Sequence, residues 1–131
     1  MFRFSKRSAA NLSQCALPLQ ALMNKALSKQ KSDFTVICGH RGEKEQNEAY
    51  RSGASKLPFP RSKHNVSPSL AIDVVPYPLD WKNIASFKEL AILIKETWAE
   101  LTPEEKQGYT LSWGGDWNSF KDYPHWELRR S

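Results

Sequence analysis

The sequence predicts an α+β fold, a small antiparallel sheet flanked by helices, and three observations point to it. Short β-branched runs and amphipathic helical stretches follow one another in mixed order rather than in strict alternation. The strand-like runs are brief and closed by glycine or proline. A chain of 131 residues can build one modest core but not two, so residues 1–131 are expected to form a single domain.

The first element lies between Pro18 and Lys29, where Leu19, Leu22, Met23, Ala26 and Leu27 fall on one helical face. Pro18 suits the first turn, where its missing N–H would go unused. Asp33 to Gly39 is a β-branched apolar run closed by glycine, so a buried strand. Glu43 to Arg51 reads as a short polar helix ending near Gly53. Residues 54–69, with Pro58, Pro60 and Pro68, form an irregular segment of a length usually kept for function or disorder. Leu70 to Pro76 is a second strand, stopped by Pro76 and Pro78. Ile84, Phe87, Ala91, Ile94, Trp98 and Leu101 then recur as a core-facing helical stripe. Ser86 and Glu89 have capping-box spacing, and Pro103 bounds the helix. Tyr109 to Trp113 and His125 to Leu128 are two short strands around a Gly-Gly-Asp-Trp-Asn turn.

The composition, 40% hydrophobic and 25% charged, is that of a soluble globule. No apolar run approaches the ~20 residues that cross a bilayer, so no stable membrane insertion is expected. The opening Met-Phe-Arg-Phe-Ser-Lys-Arg has charge without an apolar stretch, which argues against a secretory signal and for folding in the cytoplasm. There a disulfide between Cys15 and Cys38 is not expected, and both fit buried apolar positions. The net charge of +5 suits any polyanion, but the cations are scattered, which weakens a nucleic-acid role.

The chain has three histidines, His40, His64 and His125, each at the end of an expected element. His64 lies on the proline-containing loop, and Asp73 follows in the middle of an apolar strand. Alternation puts Ala71, Asp73 and Val75 on one strand face and Leu70, Ile72 and Val74 on the other. A carboxylate buried there needs a cation, which a metal or a lysine or arginine would supply equally well. Asp122-Tyr123-Pro124-His125 tips the balance. It adds a second histidine at the start of a strand, with an acid three residues earlier, and two histidines with one aspartate form a catalytic zinc set.

With these residues in hand, Ser62-Lys63-His64…Ala71-Ile72-Asp73 followed by Asp122-Tyr123-Pro124-His125-Trp126-Glu127-Leu128 resembles the zinc D-alanyl-D-alanine carboxypeptidase family (the VanY-like group). That family includes the L-alanyl-D-glutamate endopeptidases of phage endolysins. Gly39-His40-Arg41-Gly42 with Gln46, and Trp113-Gly114-Gly115-Asp116-Trp117, extend the resemblance over nearly the whole chain. It implies a Hedgehog/DD-peptidase-like fold and Zn2+ held by His64, Asp73 and His125. It further implies Asp122 as general base, where many relatives use glutamate, and Arg41 beside the carbonyl oxygen as it becomes anionic. The interval from His64 to Asp73 is longer than in many relatives, which place a glycine there.

Glu127 is a candidate to orient a ligand. Ser62 is a candidate to support the His64 loop, and His40 and Gln46 to touch substrate or the groups behind the ligands. Trp113, Trp117 and Trp126 are divided between a substrate groove and the core. The resemblance implies a monomer acting on the stem peptide of peptidoglycan. It would accumulate in the cytoplasm of the producing cell and reach the wall with the help of a membrane-permeabilising, holin-type protein. The rival readings are a D-alanyl-D-alanine carboxypeptidase of the same fold and a basic nucleic-acid-binding module.

Overall fold

A computed structural model describes residues 1–130. In chain order the elements are α1 (Lys6–Ser13), α2 (Leu17–Ser28), β1 (Phe34–Cys38), α3 (Glu43–Ser52), β2 (Ala71–Pro76), α4 (Ile84–Glu100), α5 (Pro103–Lys106), β3 (Tyr109–Trp113) and β4 (His125–Arg130). Two 3₁₀ turns, Lys63–Asn65 and Gly114–Asp116, interrupt the loops. Among the described residues the strands form one antiparallel sheet in the order β1-β2-β4-β3, so the fold is α+β.

The two faces of this sheet have different work. Val36, Ile72, Val74, Trp126 and Leu128 join Leu19, Leu22 and Met23 of α2 and Ile94 of α4 in one core. Burial of these side chains is the main favourable term in folding, each contributing about 1.5–3 kcal/mol. On the other face, the register sets Ala71 opposite Glu127 and Asp73 opposite His125. Directly paired residues of antiparallel strands share a face, so that face gathers the ionisable groups. Ala71 through Val75 are all buried, and β2 accordingly reads as an apolar run broken by one acid.

Several expectations are corrected. Helix α1 was not expected, and its buried residues are only Ser8 and Leu12. Its role is polar. Ser8 Oγ accepts from Val36 N (3.1 Å) and Asn11 Nδ2 donates to Val36 O (2.9 Å), so α1 satisfies the outer edge of β1. The cap of α4 is Asn83, whose side chain accepts from Ser86 N, not the Ser86–Glu89 box. Ile84, placed in the core stripe by spacing, is 40% exposed, at the first residue of α4. Pro103 opens the separate short helix α5, capped by Thr102.

Gly39, just after β1, packs so closely on α1 that a Cβ there would strike the Asn11 carbonyl oxygen. Gly39→Ala is therefore expected to lower stability by about 1–3 kcal/mol through overpacking. Urea unfolding checks this; an unchanged midpoint would mean that α1 can move aside without cost.

Candidate metal centre

Three chain segments converge on one oxygen atom. Asp73 sits mid-way along β2, with His125 opposite it on β4 and Cys38 opposite it on β1, the latter after a bulge between Val36 and Cys38. His64 comes in on the 3₁₀ turn. Ser62 Oγ accepts from His64 N (3.2 Å), Asn65 Oδ1 accepts from Ser62 N (3.0 Å), and Arg41 N donates to the His64 carbonyl (2.8 Å). The result is an Asp73 Oδ1 lying 3.2 Å from His64 Nε2 and 3.3 Å from His125 Nδ1. All three side chains are buried.

The other ring nitrogens explain why these two face inward. His64 Nδ1 is 2.7 Å from the Gly39 carbonyl, which can only accept, so Nδ1 carries a proton. His125 Nε2 is 2.8 Å from Glu127 Oε1, which likewise takes a proton from it. His64 Nε2 and His125 Nδ1 remain as the nitrogens free to ligate. Zinc–nitrogen and zinc–oxygen bonds of ~2.0–2.1 Å at tetrahedral angles put neighbouring ligand atoms ~3.3 Å apart. The two contacts to Asp73 Oδ1 have that length, and two imidazoles with one carboxylate are a donor set that zinc accepts. By donor chemistry and by these two spacings, the residues fit the ion.

Cys38 is the residue that sequence reasoning misplaced. It is half-buried rather than a core residue, with Sγ 3.8 Å from His64 Nδ1. Its sulfur, a His64 nitrogen and an Asp73 oxygen all lie within 4.8 Å of one another. The sulfur nevertheless stands on the Nδ1 side of the His64 ring, where the proton is committed to Gly39, and so beside the convergent atoms rather than among them. Burial raises the Cys38 thiol, but the hydrogen bond and charge of His64 outweigh it and leave the pKa lowered. Cys15 is buried and free, its thiol pushed up to about 12 chiefly by burial.

The surrounding groups hold the centre in place. Arg41 Nη2 reaches the second oxygen of Asp73 at 3.2 Å while its Nη1 donates to Gln46 Oε1 at 3.0 Å. Gln46 is fully buried, accepts also from Asn65 Nδ2 and donates to the Leu57 carbonyl, so it ties Arg41 to the His64 loop. Glu127 sits between His125, Arg129 and Lys63; burial opposes its charge, yet the His125 and Arg129 hydrogen bonds bring its pKa down to about 2. Asp122 lines the same cleft, and its backbone N–H donates to the Gly114 carbonyl (3.0 Å). A Cβ on Gly114 would collide with the Asp122 backbone, so that glycine permits the approach. Burial, then the Asp73 charge, pushes the Asp122 carboxyl up to about 6. His40 is exposed, its backbone N–H donating to Gln14 Oε1, and it is not part of the cleft wall. The tryptophans divide. Trp113 and Trp126 stack on each other in the core, while Trp117 lines the cleft with its ring 5.1 Å from that of His125.

The profile of the phage L-alanyl-D-glutamate peptidase family matches residues 1–130. The chain belongs to this family. It is 33% identical over 111 residues to the peptidoglycan L-alanyl-D-glutamate endopeptidase CwlK of Bacillus subtilis (strain 168), a match covering 79% of this chain and 65% of that protein. The chain thus spans just under two thirds of that relative's length. The crystal structure of the Serratia marcescens L-Ala D-Glu endopeptidase ChiX superimposes with a TM-score of 0.77 at 30% identity, covering 98% of this chain and 90% of that one. Of the residues quoted from the motifs, the sheet and the 3₁₀ turn bring His64, Asp73 and His125 together, with Arg41 against Asp73, while His40 lies outside.

Two outcomes follow from the geometry. Without metal, burial opposes charge on His64, but the Asp73 carboxylate outweighs it and raises the pKa from 6.5 to about 10; His125 is raised as well. A histidine whose folded pKa is raised adds stability that is full below ~6.5 and lost as pH climbs through the folded value. The melting temperature of chelated protein should therefore fall between pH 6.5 and 10; a flat profile would show that Asp73 and the imidazoles are not paired. Glu127→Ala should weaken zinc binding by roughly 10–100-fold in calorimetric titration, because His125 loses the acceptor that sets its tautomer.

Proposed function

We propose that the protein is a zinc-dependent peptidoglycan endopeptidase that hydrolyses the L-alanyl-D-glutamate bond of the stem peptide, in the manner of a phage endolysin. The observation that carries this reading is a single Asp73 oxygen poised between His64 Nε2 and His125 Nδ1 at the floor of an open cleft of about 700 Å³. Family membership and the names of CwlK and ChiX support the bond chosen over the D-alanyl-D-alanine alternative.

His64, Asp73 and His125 would hold the zinc ion, whose Lewis acidity would polarise the scissile carbonyl and acidify the attacking water. Asp122, facing the same cleft, accepts a proton from that water and delivers it to the departing D-glutamyl nitrogen. Its partial burial suits the task, since desolvation raises the carboxyl above the ordinary aspartate range and makes it a stronger proton acceptor. Arg41, fixed on one side by Gln46 and on the other by Asp73, offers a preorganised cation to the carbonyl oxygen as it becomes anionic. Ser62 acts through the His64 turn that it caps, and Glu127 through His125.

In this role the protein acts as a monomer of one catalytic domain. It accumulates in the cytoplasm and reaches the wall through a lesion made by a membrane-permeabilising partner. Among the described residues no helix is long and apolar enough to cross a membrane.

Asp122→Asn should retain zinc and fold while losing about 10²–10⁴-fold in cleavage rate; near-normal turnover would remove Asp122 from the chemistry. On purified sacculi, new D-glutamate amines and L-alanine carboxyls are expected, with a chelator stopping the reaction and added zinc restoring it. Release of free D-alanine instead would reassign the bond.

A further inference from the structure

The cleft is not symmetric about the candidate metal centre, and strand geometry sets its axis. On β4, His125, Glu127 and Arg129 follow one another along one face in steps of ~6.8 Å. β2 runs the opposite way, so beyond Asp73 it leads through Val75 and Pro76 to the loop carrying Trp81. Arg129 and Trp81 thus lie toward opposite ends of a cleft that both line, with His64, Asp73 and His125 between them.

One end is cationic. Arg129 Nε donates to Glu127 Oε2 (2.9 Å), and Lys63 Nζ lies 3.7 Å from the same oxygen. Arg129 and Lys63 thus flank a carboxylate already shared with His125, and Arg61, two residues before Lys63 in the chain, lines the cleft as well. The other end is aromatic. Trp81 stacks on Phe87 with centroids 5.7 Å apart and planes inclined by 20°, and Phe87 in turn meets Tyr123. Phe87 is buried in the root of α4, whereas Trp81 is 57% exposed, which leaves a flat ring backed by a fixed one and open to the cleft.

The substrate of the proposed reaction is asymmetric in the same sense. On the acyl side of the scissile bond, L-alanine is joined through its nitrogen to the lactyl group of a muramyl sugar. On the amine side, D-glutamate continues through its γ-carboxyl, so its α-carboxylate is free. Sugar C–H faces stack on aromatic rings, and a carboxylate pairs with guanidinium or ammonium groups. We infer that the stem peptide lies along the β2–β4 axis with its muramyl end over Trp81 and the free α-carboxylate of D-glutamate among Arg61, Lys63 and Arg129. This orientation rests on the proposed endopeptidase reading and adds to it a subsite on each side of the bond.

The test compares kcat/KM for three soluble substrates: a muramyl peptide, the same peptide without sugar, and the muramyl peptide with the D-glutamate α-carboxylate amidated. Wild-type cleavage of the L-alanyl-D-glutamate bond in the first is the check on the activity itself; its absence would sink the endopeptidase reading whatever the variants do. Given that cleavage, Trp81→Ala should cut the preference for the muramyl over the sugar-free peptide by roughly tenfold, the effect of a contact of ~1.4 kcal/mol. Arg61→Gln, and separately Arg129→Gln, should cut the preference for carboxylate over amide by a similar factor while leaving the sugar preference as in wild type. The orientation is overturned if the two preferences respond to the opposite variants, or if neither preference moves.

Discussion

A carboxylate on an interior strand is the constraint on which the rest of the structure depends. Asp73 is buried between β1 and β4, where an unpaired charge would cost several kcal/mol. Its two oxygens are divided between two kinds of partner, Oδ1 to the imidazoles and Oδ2 to Arg41. Against burial, the charge and hydrogen bonds of His64 and His125 hold its carboxyl far below the usual range. Metal-free protein meets the same demand by keeping protons on the histidines. The divalent cation proposed for this centre would therefore compete with protons for the same lone pairs, which would couple folding, pH and metal binding.

The sheet makes this arrangement affordable by separating the two jobs of its faces. Trp126 and Leu128 on β4 point into the helix-covered core, while His125 and Glu127, one residue out of phase, point into the cleft. A slip of one residue between β2 and β4 would exchange those sets, placing charges in the core and apolar rings in the cleft. Packing energy on one face thereby fixes the position of chemistry on the other. Polar contacts from α1 to both backbone groups of Val36 finish the β1 edge, and Gly39 lets that helix come close enough to make them.

What could be read from the sequence follows this division. Strands β1, β2 and β4 and helices α2 and α4 were legible because each buries apolar residues in a recognisable pattern, and the polar helix α3 because Gly53 marks its end. Asp73 was legible because an acid in an apolar strand demands an explanation, and Asp122 and His125 because they lie together. Helix α1 was not, since its contribution is hydrogen bonds from Ser8 and Asn11 rather than an apolar stripe. The Asn83 cap was missed because Ser86 and Glu89 offered the same spacing one turn further on. Gln46 appeared only as a member of a motif on a polar helix; nothing in its neighbours announced a fully buried amide tying Arg41 to the His64 loop. Cys38 looked like a core residue because alternation along β1 cannot reveal the bulge that turns it toward His64.

The two histidines also show how secondary structure, rather than motif, decides which ring nitrogen is left free to ligate. Strand alternation sets Glu127 two residues beyond His125 on the same face, within reach of Nε2, so Nδ1 is left to turn toward Asp73. His64 rides a 3₁₀ turn whose approach presents Nδ1 to the Gly39 carbonyl, so there Nε2 is left. A side-chain acceptor can be replaced by substitution, whereas a backbone acceptor can be moved only by moving β1. The His64 tautomer is accordingly built into the fold, and the His125 tautomer depends on one side chain. That side chain is also pulled by Arg129 and Lys63, so the basic end of the cleft and the ligating nitrogen of His125 are joined through a single carboxylate. Charge arriving at one is felt at the other through Glu127, a route by which an anionic substrate group bound there would alter how tightly His125 is held in its ligating form.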